Sequence, residues 1–179
     1  MNSNIEKVIG ENRRIIDNED WETVYTQLST QTGGETIFSG FCGEFTNMLL
    51  EIGIDPSDKM SYIPEGYLSG QAISQYVVKG NCKQVRRGAF AGCSELTTLI
   101  LLEGVESIQS KCILMCPRLQ KLVLPNTLKQ IGYGNMQLCQ SLYEIESNGT
   151  QQEWRSLIGV YWLDPMIDIK CIDGLIHRK

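Results

Sequence analysis

The chain has 179 residues and a formal net charge of −5, with 42% hydrophobic and 21% charged residues. This composition is typical of a folded globular protein and excludes a disordered or fibrous chain, and the length allows one or two domains. The negative charge disfavours nucleic acid as the main partner, because phosphate contacts need clustered Lys and Arg side chains.

Long apolar segments are absent from the sequence. No run of about 18 apolar residues occurs, which predicts that the chain does not cross a membrane. Residues 1–10 include Glu6 and Lys7 and lack the apolar centre of a signal peptide. We therefore expect a cytoplasmic protein without a membrane partner.

Residues 1–60 predict an acidic helical module, since they hold four Lys or Arg side chains against eleven Asp or Glu side chains. Residues suited to N-caps, Asn18-Glu19-Asp20, precede an apolar stripe with helical spacing formed by Trp21, Val24, Tyr25 and Leu28. We expect this helix to break at Thr32-Gly33-Gly34. A second stripe, ended by Gly53 and Pro56, comprises Ile37, Phe41, Phe45, Met48, Leu49 and Ile52.

A fixed 23-residue period follows this module and indicates internal repeats. Four columns share the period: Cys93, Cys116 and Cys139; Leu96, Leu119 and Leu142; Leu99, Leu122 and Ile145; and Val85, Ile108 and Ile131. A degenerate opening copy places Ile73, Tyr76 and Val78 one period before Leu96, Leu99 and Leu101. The recurring phrase Leu-x-x-Leu-x-Leu is typical of leucine-rich repeats.

Each of these phrases predicts a strand with one buried and one free face. Because side chains alternate along a strand, Leu99 and Leu101 point to the core, and Ile100 points away from it. We expect parallel, adjacent strands centred on residues 99–101, on residues 122–124 and near residue 145, since one repeat buries too little apolar surface to fold alone. Shorter apolar pairs before each phrase should form the opposite wall. Three equivalent residues should fill the space between the walls, namely Phe90, Ile113 and Met136.

The segment from Val85 to Leu101 resembles the BspA-type (Treponema pallidum-type) leucine-rich repeats of bacteria, phages and some protists. Its sequence is Val-Arg-Arg-Gly-Ala-Phe-Ala-Gly-Cys-Ser-Glu-Leu-Thr-Thr-Leu-Ile-Leu. The next repeats have Cys112-Ile113 and Asn135-Met136 in place of Ala-Phe, so we expect less regular turns there. The resemblance, with the helical pattern of residues 1–60, predicts an α/β fold: a short leucine-rich-repeat solenoid with a parallel β-sheet and an N-terminal helical cap. It also implies a binding surface, although a fold alone names no ligand.

The predicted organisation has three parts. Residues 1–60 form the acidic helical module, residues 63–147 form the 23-residue repeats, and residues 148–179 form a C-terminal cap. The N-terminal helices either cover the first strand of the solenoid, which would otherwise present an open edge, or bind a partner of their own.

The sequence offers no recognisable catalytic or metal-binding set. The only histidine is His177, close to the C-terminus, where we expect it to fray, and no paired Cys-x-x-Cys motif occurs. Three equivalent cysteines in one repeat column are interpreted as small buried hydrophobic residues. We therefore predict reduced thiols, no metal, no cofactor and no enzymatic activity. The alternative is an enzyme or a regulatory subunit whose site the sequence does not reveal.

The free face of the predicted strands is the candidate binding site. Val77, Ile100 and Val123 should stack in an exposed aliphatic column that ends at Glu146, and exposed aliphatic rows invite a protein partner. The predicted partner-binding residues are Val77, Thr98, Ile100, Leu102, Lys121, Val123, Glu144 and Glu146. The partner is another protein of unknown identity, unless the N-terminal helices or a second copy of the chain, in a homo-oligomer, cover this column. A narrower hypothesis is a phage or mobile-element accessory protein that binds and inhibits a host or defence protein.

Overall fold

The computed structural model describes residues 10, 18, 20–31, 35–160 and 167–177. Helices α1 (Trp21–Gln31) and α2 (Glu35–Glu51) and a 3₁₀ helix (Pro56–Lys59) precede the repeats, and helix α3 (Gln151–Ser156) follows them. None of these helices combines the length and the apolar composition that a membrane crossing needs.

Helix α1 begins and packs as the sequence predicts. Asp20 caps it, because Asp20 Oδ1 accepts a hydrogen bond from the Thr23 backbone N–H at 3.2 Å. The predicted apolar stripe is buried and comprises Trp21, Val24, Tyr25 and Leu28. Glu19, the predicted break at residues 32–34 and the side chain of Ile37 lie outside the described part of the chain.

Helix α2 ends before the predicted stripe does. Gly53 has a φ of +82°, and its N–H donates to the Leu50 carbonyl at 3.0 Å. The Ile54 N–H donates to the Leu49 carbonyl at 2.9 Å, which completes a Schellman motif at the helix end. Ile52 was predicted to lie on the buried stripe and is instead 67% exposed, because the chain leaves the helix at this turn.

The strands of the described residues form two sheets. They are β1 (Tyr62–Ile63), β2 (Gln75–Val78), β3 (Gln84–Val85), β4 (Thr98–Leu101), β5 (Ser107–Ile108), β6 (Lys121–Leu124), β7 (Gln130–Ile131), β8 (Glu144–Ser147), β9 (Asp168–Cys171) and β10 (Gly174–Ile176). The six-stranded sheet has the order β10-β9-β8-β6-β4-β2, and the four-stranded sheet has the order β1-β3-β5-β7. All neighbouring strands in these sheets are parallel except β9 and β10.

Residues that lie one 23-residue period apart in the sequence pair with each other in the larger sheet. Leu99 pairs with Leu122, and Leu122 pairs with Ile145, which confirms the predicted parallel and adjacent strands. Tyr76 pairs with Leu99, so the degenerate opening copy supplies the first strand of the sheet. One strand of each sheet, with the loop between them, makes one turn of the solenoid: β1 and β2 form the first turn, and β7 and β8 the fourth.

The core lies between the two sheets. The inward residues of the larger sheet are buried along its length, and so are their counterparts Val85, Ile108 and Ile131 in the smaller sheet. The residues predicted to fill the space between the sheets, Phe90, Ile113 and Met136, are buried there. Apolar stacking between successive turns therefore holds the solenoid together.

The loops of the solenoid use left-handed backbone at equivalent positions. In the second turn both positions are glycines, Gly88 (φ +67°) and Gly92 (φ +73°). In the third turn they are Lys111 (φ +58°) and Met115 (φ +57°). A residue with a Cβ is strained in this conformation, so the later loops carry a cost that the second turn avoids.

The loop of the fourth turn also departs from the others in its hydrogen bonds. The Phe90 N–H donates to the backbone carbonyl of Cys112 at 2.9 Å. One turn later, the Ile113 N–H donates at 3.1 Å to the side-chain Oδ1 of Asn135. The less regular turns that were expected at the Cys112-Ile113 and Asn135-Met136 substitutions are therefore present.

The N-terminal helices pack against the first turn through aromatic rings. The Tyr25 ring of α1 lies 5.6 Å from the Tyr67 ring between centroids and 5.9 Å from the Phe45 ring of α2. Glu22 Oε1 accepts a hydrogen bond from the Ser61 backbone N–H at 2.7 Å. The helices therefore lie against the start of the solenoid.

Asp55 connects the 3₁₀ helix to the first turn. Its Oδ1 accepts hydrogen bonds from the Ser57 hydroxyl at 2.7 Å, from the Tyr67 hydroxyl at 2.8 Å and from the Tyr76 hydroxyl at 3.0 Å. Burial alone raises the pKa of Asp55, but these hydrogen bonds outweigh burial and hold the pKa below its ordinary value.

The C-terminal segment caps the other end and extends the larger sheet. Thr150 and Glu153 form a capping box at the start of α3. Strand β9 then joins β8 in parallel, and β10 turns back against β9. His177, which was expected to fray, lies with its Nδ1 at 3.0 Å from Asp168 Oδ2 of β9.

Candidate interaction surface

The strand register assembles the predicted column on the outer face of the larger sheet. Val77 pairs with Ile100, Ile100 pairs with Val123, and Val123 pairs with Glu146. The next strand adds Lys170 opposite Glu146. The outer face therefore changes from aliphatic on β2 and β4 to charged on β8 and β9.

Val123 is less accessible than the sequence suggested. Val77 is 41% exposed and Ile100 is partly exposed, whereas Val123 retains 9% of its surface. Strand β6 has neighbours on both sides, and the Lys121 side chain passes beside Val123 to reach Glu146, with Nζ at 3.4 Å from Oε2. Neighbouring side chains thus shield Val123, and little of it is open to a partner.

Two rows flank this column on the outer face. Thr98 pairs with Lys121 in the row that precedes the column, and Glu144 pairs with Asp168 in the same row. Leu102 begins the other row and is 44% exposed. The accessible apolar part of the surface is therefore formed by Val77, Ile100 and Leu102.

The charged part of the surface includes an exposed ion pair between Lys121 and Glu146, and the His177 ring lies beside Asp168. An exposed ion pair contributes at most about 1 kcal/mol, because water competes for both charges. Charged groups of a partner can therefore replace the Lys121–Glu146 pair at little cost.

Helices α1 and α2 leave the column open. Their contacts run to Tyr67 and Ser61 of the first turn, and Val77 keeps its exposure with both helices in place. The alternative that these two helices cover the column is therefore not supported by their packing.

The buried polar groups do not assemble a reactive centre. Burial is the main cause that raises the pKa of five of the seven cysteine thiols, to about 12 for Cys82 and Cys93, and all seven cysteines are free and buried. The hydroxyl groups around Asp55 are engaged with one another, and Ser57 has no solvent exposure. In the described part of the chain, no three His, Cys, Asp or Glu side chains are placed to hold a metal ion. The outer face of the larger sheet therefore remains the best candidate site.

Strand β9 adds surface residues that the sequence analysis did not assign. Ile169 pairs with Ile145 but lies one position beyond the next repeat of the period, so this strand escapes a search for strict spacing. Its pattern Ile169-x-Cys171 matches the end of the repeated phrase and was the available signal. Lys170 and Asp168 therefore belong to the candidate surface.

The comparison with protein-family models agrees with this architecture. Residues 61–156, more than half of the chain, match the family model described as "BspA type Leucine rich repeat region (6 copies)". A leucine rich cell surface protein from Faecalibacterium prausnitzii A2-165 has a similar solved structure, with 18% sequence identity and a TM-score of 0.42. The match covers 51% of this chain and 30% of that protein. A comparison with curated proteins finds no match. On the family match and the repeat geometry together, the chain belongs to the BspA-type leucine-rich repeat family.

Proposed function

We propose that this protein is a non-enzymatic interaction module whose outer sheet face binds another protein. The observation that carries the proposal is the juxtaposition of exposed Val77 and Leu102, around Ile100, with the charged residues Lys121 and Glu146. Apolar centres beside polar rims are typical of protein interfaces. The family membership supports a protein-interaction role.

The proposed contact has two parts with different chemistry. Val77, Ile100 and Leu102 would bury aliphatic surface against the partner, which contributes roughly 25 cal/mol for each Å² removed from water. Glu144, Glu146 and Thr98 would set the partner's orientation through hydrogen bonds and charge complementarity. Val123 contributes through the shape of the surface, since little of it is exposed.

The test begins with capture of the partner from the native host and its identification by mass spectrometry. Binding is then measured with purified partner and the double variant Val77→Glu with Leu102→Lys, which preserves the net charge. Burying two unpaired charges should weaken binding by about 100-fold or more. The fold should change little, because both positions are exposed.

A matched control places the same charge changes on another surface. Gln130→Glu with Gln137→Lys alters two exposed residues away from the outer face of the larger sheet. This variant should bind like the wild type. If the Val77 and Leu102 variant folds and binds normally, the proposed face is wrong, and Asp20 and Glu22 at the start of α1 become the next residues to reverse.

A second copy of the chain is the alternative occupant of the same face. Sedimentation of the wild type over a range of concentrations would then show a dimer that the Val77 and Leu102 variant loses. The narrower proposal, an accessory protein of a phage or mobile element that inhibits a host or defence protein in the cytoplasm, rests on the acidic N-terminal residues. It predicts that the captured partner loses activity when the wild-type chain is added.

A further inference from the structure

Strand β10 ends the larger sheet, and among the described residues no strand pairs with its outer side. Its neighbour in the sheet is β9, with Leu175 of β10 opposite Lys170 of β9. Exposed edge strands are commonly protected by Lys or Pro residues. The sequence of β10, Gly174-Leu175-Ile176, contains neither. The free side of β10 is therefore able to accept another strand.

The register of the hairpin determines which backbone groups of β10 point to this free side. The loop between β9 and β10 has two residues, and Cys171 and Gly174 pair on either side of it. The pair that flanks a two-residue loop is hydrogen-bonded, and bonded and non-bonded pairs alternate along an antiparallel ladder. Leu175 is one position further along, in a non-bonded pair. Its N–H and its carbonyl therefore point away from β9.

The side chains along the free side are exposed. Leu175 lies opposite Lys170, which in turn pairs with Glu146, so Leu175 is the last member of the outer column. Its side chain is 40% exposed. Asp173 precedes Leu175 by two residues and His177 follows it by two, and both are exposed. An acidic residue and a histidine thus flank an apolar residue at equal distances along the chain.

We propose that β10 pairs antiparallel with β10 of a second copy of this chain and so joins the larger sheets of the two copies. In a two-fold arrangement centred on Leu175, the two Leu175 residues exchange N–H···O=C bonds and place their side chains next to each other. The same register sets Asp173 of each copy opposite His177 of the other. An acidic residue opposite a histidine at both ends of the contact makes this edge complementary to itself.

The alternatives fit the edge less well. A shift of the register by two residues keeps the hydrogen bonds but sets Leu175 opposite Asp173 or His177, so that the charges lose their partners. Pairing of β10 with β2 at the other edge of the sheet would not close and would continue into a filament, whereas two identical edges related by a two-fold axis close as a dimer. The contact lies at the opposite edge from Val77, so it does not depend on the proposed partner binding.

A cross-link tests the centre of the contact. Hydrogen-bonded antiparallel pairs have a Cα separation of about 5.5 Å, which a disulfide can bridge. The folded full-length Leu175→Cys variant should therefore form a disulfide-linked dimer under mild oxidation, with position 175 joined to position 175 in peptide mass spectrometry. The matched control is Leu102→Cys, which is 44% exposed and lies outside the contact, and it should remain monomeric. The seven native cysteines are buried and should not cross-link.

Charge exchange tests the register. Sedimentation of the wild type from about 1 µM to about 1 mM should show a reversible monomer–dimer equilibrium. Asp173→Lys and His177→Glu should each weaken the dimer by about 10-fold, because each removes the acidic–histidine complementarity. The double variant should recover the wild-type affinity, because its two new charges face each other across the contact.

The recovery separates the dimer contact from contacts within one chain. Asp173 Oδ1 accepts a hydrogen bond from the Gln151 N–H at 2.8 Å, and His177 Nδ1 lies 3.0 Å from Asp168 Oδ2. The double variant restores neither of these contacts, so a loss caused by them would persist in it.

Several outcomes would overturn the proposed pairing. They are a wild type that stays monomeric over the whole concentration range, equal cross-linking of Leu102→Cys and Leu175→Cys, and a double variant no tighter than the single variants. A dimer that Val77→Glu with Leu102→Lys abolishes and Asp173→Lys leaves intact would place the contact on the outer face instead. Normal dimerisation beside lost partner binding, or the reverse, would show that the two proposals fail separately.

Discussion

The two faces of the larger sheet are built from the same strands and follow different rules. On the inner face, Leu99, Leu122 and Ile145 stack without solvent exposure. On the outer face, the column that begins at Val77 ends in Glu146 and Lys170. Stacking between turns favours apolar residues at inward positions, because each turn depends on its neighbours for its core. The outer positions escape that constraint, so they can differ from turn to turn and carry specificity.

Tyr76 is one of two polar exceptions on the inner face, the other being Ser147, which pairs with Leu124. Tyr76 occupies the position equivalent to Leu99, yet its hydroxyl bonds to Asp55 and to Ser57. Every buried polar side-chain atom in the described residues has a hydrogen-bond partner, so this polar end of the core is fully satisfied. The inner face therefore accepts a polar group where neighbouring segments supply its partners: the N-terminal segment does so for Tyr76, and the Gly149 N–H donates to Ser147 Oγ at 3.2 Å.

The largest effect should come from the buried core beneath the inner face. Leu119 is fully buried, and Leu119→Ala should lower the free energy of unfolding by about 2 to 5 kcal/mol through lost burial and a residual cavity. Chemical denaturation measures this loss. Leu102→Ala is the control on the outer face, and it should change the free energy by about 0.5 kcal/mol or less. Equal losses of unfolding free energy for the two variants would contradict the assignment of Leu119 to the core and Leu102 to the exposed outer face.

A smaller effect should appear at the polar end of the core. Asp55→Asn should cost about 1 to 2 kcal/mol at neutral pH, because hydrogen bonds to a charged acceptor become hydrogen bonds to a neutral one. The folded pKa of Asp55 lies below its unfolded value of about 3.9, so the stabilisation is complete above that pH. It is lost as the pH falls through the folded pKa.

The difference between wild type and Asp55→Asn should therefore shrink in acid. Denaturation midpoints measured from neutral pH down to the acid range would follow this convergence. A constant difference at every pH would mean that the charge of Asp55 does not support the junction between the helices and the repeats.

The smallest of these effects concerns the loops, in which successive turns have the same backbone conformation but different residues. Lys111→Gly should raise the free energy of unfolding by about 0.5 to 1 kcal/mol. Glycine removes the strain that a Cβ causes in the left-handed backbone conformation of residue 111. Part of this stabilisation is lost, because glycine also increases the conformational entropy of the unfolded chain. Lys111→Ala keeps the Cβ and should give no gain in the same thermal or chemical unfolding assay. A destabilised glycine variant would show that the Lys111 side chain contributes more than its conformation costs.

The 23-residue period of the sequence was sufficient to predict which residues form the inner face of the larger sheet and which side chains point outward. Leu122 could be placed between Leu99 and Ile145 because residues one repeat apart in the sequence stack on one another in a solenoid. Accessibility could not be obtained this way. Val123 is 9% exposed on a strand whose Lys121 forms an ion pair with Glu146 of the next strand, and the repeat spacing does not encode where such long side chains lie.

The periodic pattern also could not predict the contacts that join the repeats to the N-terminal and C-terminal segments. The hydrogen bonds of Asp55 reach Tyr67 and Tyr76, which belong to different parts of the first turn. The contact of His177 with Asp168 depends on the reversal between β9 and β10. Such contacts arise once in the chain, and a repeat search detects only what recurs.

The identical register from β2 to β8 also bears on how such a chain can grow. Each internal turn offers its neighbours the same parallel edge, whereas Asp55 and its partners close one end and the antiparallel β10 closes the other. A duplicated 23-residue unit inserted between the third and fourth turns would meet compatible backbone on both sides. Gene duplication could thus lengthen the outer face by one strand at a time, without redesign of either terminus.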